Sequence, residues 1–241
     1  MGNVLKPICF IPARGSSKGI PRKNIKKLGN KPLIAYTIET ALESKIFEHV
    51  IVNTDDKEIA QIAKQYGAEV PFMRPKYLAG DKTGYWEVLI HAIKKLFSLG
   101  YKFNSVVSRD CTVPFITKHD LREAYRLYSE QDCDGVHTVC LSHPNPYFGM
   151  FEKNSNGFLL RSKISKKRIA DRQSAPKVYE VNGVYINSVK KVLQDKDMFK
   201  GNILPYEISQ ISGFMIDSKL DFFIAEQIIK SIKKNNLMTN D

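Results

Sequence analysis

The sequence predicts an α/β fold in which helices cover both faces of a doubly wound, mostly parallel sheet. Short apolar runs alternate with stretches of helical periodicity about every 25 to 35 residues, the rhythm of repeated strand–loop–helix units. Arg14, Asp55 and Asp110 each lie at the end of an apolar run, where a parallel strand leaves its sheet and where such sheets bind ligands. With 241 residues the chain suffices for one domain, 1–241, carrying a small inserted lobe.

Residues 7–13, PICFIPA, read as a first buried strand that enters a loop rich in Gly, Ser and Lys. Over 32–44, Leu33, Ile34, Ile38, Ala41 and Leu42 recur at helical spacing. A second strand, HVIVNTDD at 49–56, ends in polar groups. Ile59, Ile62 and Ala63 mark the next helix, closed by Gly67. Residues 69–75, EVPFMRP, read as a short third strand. The stripe Val88, Leu89, Ala92, Ile93 and Leu96 makes 86–96 helical. A strand and polar loop at 105–116, a helix at 121–128 and a strand at 135–141 follow. Between 142 and 180 the pattern loosens into an excursion of two or three strands and a basic loop. VYEVNGVYINS, 178–188, returns to strand character, and FMIDSKLDFFIAEQIIKSI closes the chain as strand, turn and helix.

Composition narrows the function. There is no run of eighteen apolar residues, so no membrane span is expected. The apolar stretch ICFIPA stops at Arg14, too short for a secretory signal, and Gly2 lacks the Ser or Thr that a myristoylation signal prefers. Four cysteines (Cys9, Cys111, Cys133, Cys140) without CxxC spacing suit a reducing cytoplasm. Cys111 reads as a small buried filler, and His137 and His143, which lack a matched carboxylate, as ordinary strand and loop residues. A net charge of +12 favours anionic partners, but it is spread along the chain outside 163–168 and 230–234, so no nucleic-acid partner is expected.

The chemistry concentrates in IPARGSSKGIPRKN. Ala13, Gly15, Ser16, Ser17 and Gly19 are short enough for backbone N–H groups to approach phosphates. Arg14, Lys18, Arg22 and Lys23 add charge-assisted contacts. The segment matches neither GxxxxGK[ST] nor GxGxxG.

That loop, followed by VIVNTDDKEIAQIAKQYGAEV and RPKYLAGDKT in order, closely resembles the acylneuraminate cytidylyltransferases. The resemblance implies a Rossmann-like nucleotidyltransferase fold and a Mg²⁺-assisted displacement at the α-phosphorus of CTP by the anomeric hydroxyl of an acidic, sialic-acid-like sugar. It also implies a homodimer with its contact lobe in the 142–180 excursion. By matched position, Arg14, Lys23 and Lys18 hold the triphosphate as catalytic cations. Ala13, Gly15, Ser16, Asn24, Arg74, Thr83 and Asp110 bind the nucleotide, with Asn24 and Arg74 along base and ribose and Asp81 beside the cytidine. Asp55 either shapes that pocket or caps a helix.

Three positions depart from the family pattern. Asp110 stands in DCTVPFI where a QPTSPLR-like block has Gln. The D-x-D metal motif reads Met215-Ile216-Asp217, so the metal is assigned to Asp110 with Asp217, in keeping with the one or two protein carboxylates that Mg²⁺ takes. Glu180 replaces an arginine before x-N-G, beside Arg172, Gln173 and Asn182 on the sugar side. The acceptor therefore stays open between a nonulosonic acid and another sugar such as an amino-octulosonate, and a non-catalytic nucleotide binder is the remaining alternative.

Overall fold

Alternation along Ile8–Pro12 (β1) sends Ile8 and Phe10 to one face and Cys9 and Ile11 to the other, and all four are fully buried. A strand buried on both sides belongs in the middle of a covered sheet. The computed structural model describes residues 5–17, 19–195 and 197–233. After β1 the chain forms a small hairpin, Lys27–Leu28 (β2) and Lys31–Pro32 (β3), then a helix, Leu33–Ser44 (α1). His49–Asn53 (β4), Lys57–Gln65 (α2), Tyr85–Ser98 (α3), Ser105–Arg109 (β5), Lys118–Glu130 (α4) and Gly135–Leu141 (β6) follow. The excursion holds a separate hairpin, Phe151–Lys153 (β7) with Leu159–Arg161 (β8). Tyr179–Ser188 (β9), Val189–Asp195 (α5), Ile203–Glu207 (β10) and Lys219–Lys233 (α6) complete the chain.

Six strands form the main sheet in the order β10-β6-β9-β5-β1-β4. β1 pairs in parallel with β4 and β5, and β10 in parallel with β6. β9 runs against its neighbours β5 and β6. The excursion explains the reversal, because β6 rises to the carboxyl edge and β9 descends from it after the segment between them. One face packs Ile8, Phe10, Ile51 and Val106 under α3 and α5, which are tied by Trp86 Nε1 donating to the Val192 carbonyl at 3.0 Å. The other packs Cys9, Ile11, Val50 and Val52 under α1 and α2, then Val107, Val136, Val184 and Ile186 under α4.

Caps fix the helix ends. Thr117 and Asp120 close a reciprocal box at the start of α4. From α4, Arg122 donates to the Ser44 and Glu43 carbonyls that α1 leaves open. α6 lays Phe222, Ala225 and Ile229 on Leu28 and Leu33, joining the chain's end to the β2–β3 hairpin.

Two expectations change. Residues 69–75 form no strand: Glu69 alone bridges to β4, accepting from Val52 at 2.8 Å and donating to Val50 at 2.8 Å, and Pro71 ends the pairing. FMID at 214–217 is a loop tied by one bond, Ile216 N–H to the Thr112 carbonyl at 2.8 Å. The excursion contains two short strands, within the two or three expected, and both are exposed. Among the described residues no helix is long and apolar enough to cross a membrane.

Gly183 lets β9 bend where its register with β6 shifts. Its φ is +87°, and a Cβ there would lie 2.3 Å from Ile116 Cδ1. Gly183→Ala is therefore expected to cost about 1–3 kcal/mol in urea unfolding. A variant as stable as the native chain would refute that constraint.

Candidate active site

The carboxyl ends of β1, β4 and β5 bring the sequence-predicted cations and carboxylates together. Ala13 N–H donates to the Asn53 carbonyl at 3.0 Å, so the basic loop starts out bonded to the end of β4. Gly15 N–H donates to Asp55 Oδ1 at 3.0 Å. A Cβ on Gly15 would stand 2.9 Å from Asp56 Oδ2, which explains the glycine. Asp56, not Asp55, caps α2 by accepting from Ile59 N–H. Asp55 is thereby left to hold the loop.

Carboxylates meet the loop's charges. Arg14 reaches Asp81 at 2.8 Å. Arg22, in the left-handed region at φ 56°, reaches Asp56 and Glu58. Its hydrogen bonds hold the Asp56 carboxyl below the usual carboxylate range. Lys23 Nζ donates to the Ile216 carbonyl at 2.8 Å and to Asp217 Oδ1 at 3.0 Å. Gly19 allows this approach, since a Cβ would lie 2.3 Å from the Asp217 carbonyl oxygen. Ser16 is exposed on the same loop. Lys18 lies outside the described residues.

Two residues expected along the nucleotide, Asn24 and Arg74, also tie down the loop and the end of β4 respectively. Asn24 donates to the Arg14 carbonyl at 3.0 Å, stapling the loop's two ends. Arg74 is buried and donates from Nε to Asn53 Oδ1 and from Nη2 to the Asn53 carbonyl, both at 2.8 Å. Burial draws its pKa down, while the Asp55 charge opposes that shift. Thr83 contacts the Tyr77 carbonyl at 3.3 Å in the loop that carries Asp81.

Asp110 follows β5 at the centre of the sheet edge. Its N–H donates to the Gly183 carbonyl at 3.1 Å, and its Oδ2 accepts from the Tyr185 hydroxyl at 3.2 Å. Burial raises the Asp110 pKa, and the Asp217 charge adds to the rise. The two aspartates therefore share one electrostatic neighbourhood, and the bond from Ile216 to Thr112 straps their segments together. Among the described residues no group of three His, Cys, Asp or Glu converges as a metal cage. Two carboxylates are a hard oxygen pair of the kind Mg²⁺ accepts.

On the sugar side, Glu180 lines a cavity of about 270 Å³, and Arg172 and Gln173 line one of about 360 Å³. Leu141, Ser142 and His143 border both, so the three residues face adjoining spaces. Asn182 does not join them: it is buried and donates to the Gly213 carbonyl at 3.0 Å. A cavity of about 580 Å³ at the opposite, amino end of β1 and β4 holds none of the predicted site residues, and chemistry outweighs size in choosing between them.

Tyr185 and Arg109 went unassigned in the sequence. Arg109 is fully buried, and its guanidinium nitrogens have no hydrogen-bond partner among the described residues. His137 packs against Tyr185 and Phe199, its pKa pushed down to about 4 by burial, whereas His143 pairs with Gln210. Cys111 is buried with its thiol pushed up to about 12, an inert filler.

Residues 8–142 match the sequence profile of the cytidylyltransferases. The chain belongs to the cytidylyltransferase family. Post-translational flagellin modification protein B of Campylobacter coli is 35% identical over 97% of this chain and 98% of its own. CMP-N,N'-diacetyllegionaminic acid synthase of Campylobacter jejuni is 36% identical over 92% of this chain and 94% of its own. A solved CMP:2-keto-3-deoxy-manno-octonic acid synthetase, complexed with CTP, shares the fold at a TM-score of 0.71 and 17% identity, covering 94% of this chain and 99% of that one. The cytidylyltransferase match runs from β1 to the end of β6. It takes in the basic loop, Asp55, Arg74 and Asp110, and stops short of Glu180, Tyr185 and Asp217.

A raised native pKa means that the folded cytidylyltransferase holds the Asp110 proton more tightly than the unfolded chain does. That contribution to stability is complete below the ordinary carboxylate value of about 4 and is lost as pH rises through the raised one. Asp110→Asn, which still accepts from Tyr185, should melt above the native protein near neutral pH. The gap should close toward pH ~4. A pH-independent gap in melting temperature would contradict this.

Proposed function

We propose that the chain couples CTP to a free nonulosonic acid, releasing a CMP-sugar and pyrophosphate. The observation that carries this reading is the basic loop clasped by carboxylates, with Lys23 3.0 Å from Asp217, whose segment the Ile216–Thr112 bond ties to that of Asp110. A triphosphate and a divalent cation are the ligands such a mixture of charges suits. The acid's identity as a nonulosonate draws on the family and on the diacetyllegionaminic acid synthase, 36% identical over 92% of this chain.

In this reading Arg14 and Lys23, with Lys18, hold the triphosphate. Arg14 and Lys23 already sit at hydrogen-bond distance from carboxylate oxygens, and phosphate oxygens substitute for those with more charge. Ala13, Gly15 and Ser16 line the phosphates, while Thr83 and Asp81 flank the nucleoside. Asn24 and Arg74 act by holding the loop and the end of β4 in place. Asp110 and Asp217 would hold Mg²⁺, their segments being strapped together by the bond from Ile216 N–H to the Thr112 carbonyl. Bound there, Mg²⁺ neutralises charge on the phosphate oxygens. The sugar's anomeric hydroxyl attacks the α-phosphorus and gives up its proton to water, the bond to the bridging oxygen breaks, and pyrophosphate leaves against Lys23 and Arg14. Arg172, Gln173 and Glu180 face the sugar, with Asn182 supporting the floor behind Glu180.

Glu180 favours a second reading. A carboxylate in the 270 Å³ cavity repels an acid group and attracts an amine or hydroxyl, which suits an amino-octulosonate.

Pyrophosphate release should be followed with CTP, Mg²⁺ and a panel of nonulosonic and octulosonic acids. Release with a nonulosonic acid supports the first reading. Release with none of the panel, or only with ATP or GTP, refutes it. In that assay Lys23→Ala is expected to lower turnover roughly 10²-fold or more, and near-native activity would remove Lys23 from the mechanism.

The chain is also proposed to form a homodimer through the excursion. Phe158, Leu159 and Ile164 there are 69%, 63% and 86% exposed, a cost in water that a second copy would relieve. Light scattering should give twice the mass of one chain, and a single-chain mass would refute the dimer.

A further inference from the structure

We propose that Tyr185 is a positioning residue: its hydroxyl fixes the Asp110 carboxylate so that the second oxygen faces the divalent cation. The inference rests on the reading above that Asp110 holds that cation, and goes beyond it in naming what orients the ligand. β9 supplies two ties to one residue. The Gly183 carbonyl accepts the Asp110 N–H at 3.1 Å, and the Tyr185 hydroxyl donates to Oδ2 at 3.2 Å. Backbone and side chain of Asp110 are thus both anchored, and Oδ1 is the oxygen that Tyr185 leaves open.

Tyr185 is itself held. It sits opposite Ser108 on β5 and His137 on β6, and its ring meets the His137 imidazole edge-on with centroids 5.2 Å apart. His137 in turn packs against Phe199 at 5.7 Å. A phenol on an interior strand, wedged against a buried ring, offers its hydroxyl in one place. A flexible surface donor would not restrict the carboxylate in this way. The same stretch of β9 steadies the other aspartate's segment, since Asn182 donates to the Gly213 carbonyl four residues before Asp217. Outer hydrogen bonds of this kind orient metal-binding carboxylates, and their removal typically weakens metal affinity 10–100-fold.

Tyr185→Phe keeps the ring and its packing and removes one hydroxyl. Mn²⁺ would be titrated into the native protein, Tyr185→Phe and Asp110→Asn without CTP or sugar, with the free ion counted by electron paramagnetic resonance. Tyr185→Phe should bind Mn²⁺ roughly 10–100-fold more weakly while melting close to the native temperature. In turnover it should need more Mg²⁺ and recover its kcat once Mg²⁺ saturates. Native Mn²⁺ affinity in Tyr185→Phe, together with its loss in Asp110→Asn, would overturn the role of Tyr185 alone. Native affinity in both variants would overturn the cation reading beneath it. A higher KM for the sugar with unchanged Mn²⁺ affinity would make Tyr185 a substrate contact and likewise overturn the proposal.

Discussion

Cations crowded into a short loop repel one another, and Arg14, Arg22 and Lys23 lie within ten residues. The loop keeps its shape because Asp81, Asp56, Glu58 and Asp217 neutralise those charges from three separate parts of the chain. Much of the carboxyl edge depends on this balance. Asp55 and Asn53 fasten the loop to β4, Asp81 draws in the segment before α3, and Lys23 anchors the segment that precedes α6. Each pair has at least one solvent-exposed partner, and a ligand of higher charge would compete for the same cations. A site built this way is assembled before the nucleotide arrives without being closed to it.

The reversed strand gives the sheet its second half. Because β9 descends between β5 and β6, its bend at Gly183 lies beside the carboxyl end of β5. Asp110 then receives a backbone and a side-chain partner from a strand far away in sequence. A wholly parallel sheet would place the amino end of a strand away from this edge. The excursion between β6 and β9 rises from the same edge, which sets the adjoining cavities around Glu180 and Arg172 next to the basic loop's side of the molecule.

Periodicity made the long elements legible. The stripe of α3 and the apolar run of β6 appear where the pattern predicts them, because each buries a continuous surface. β10 left a poor trace: ILPYE lies at an edge, partly exposed and interrupted by Pro205. EVPFMRP misled for the opposite reason, since its apolar residues belong to a segment whose prolines permit one bridge. In the site, residue type and order were legible, so Arg14, Lys23, Asp110 and Asp217 could be named. Partners were not. That Asn24 holds a carbonyl, that Asp56 takes the cap, or that Tyr185 reaches Asp110 depends on distances set by strand register, which no local pattern encodes.

Glu69 and Pro205 carry a further consequence. A sheet's outer strands offer unpaired amides to any passing strand, which invites aggregation. On the β4 side, Glu69 takes up the Val50 carbonyl and the Val52 amide, and Pro71 halts any longer ladder. On the β10 side, Pro205 withdraws a donor from the middle of a five-residue strand. Both margins are blunted by a handful of atoms, so few unpaired amides are left along which another strand could extend the sheet.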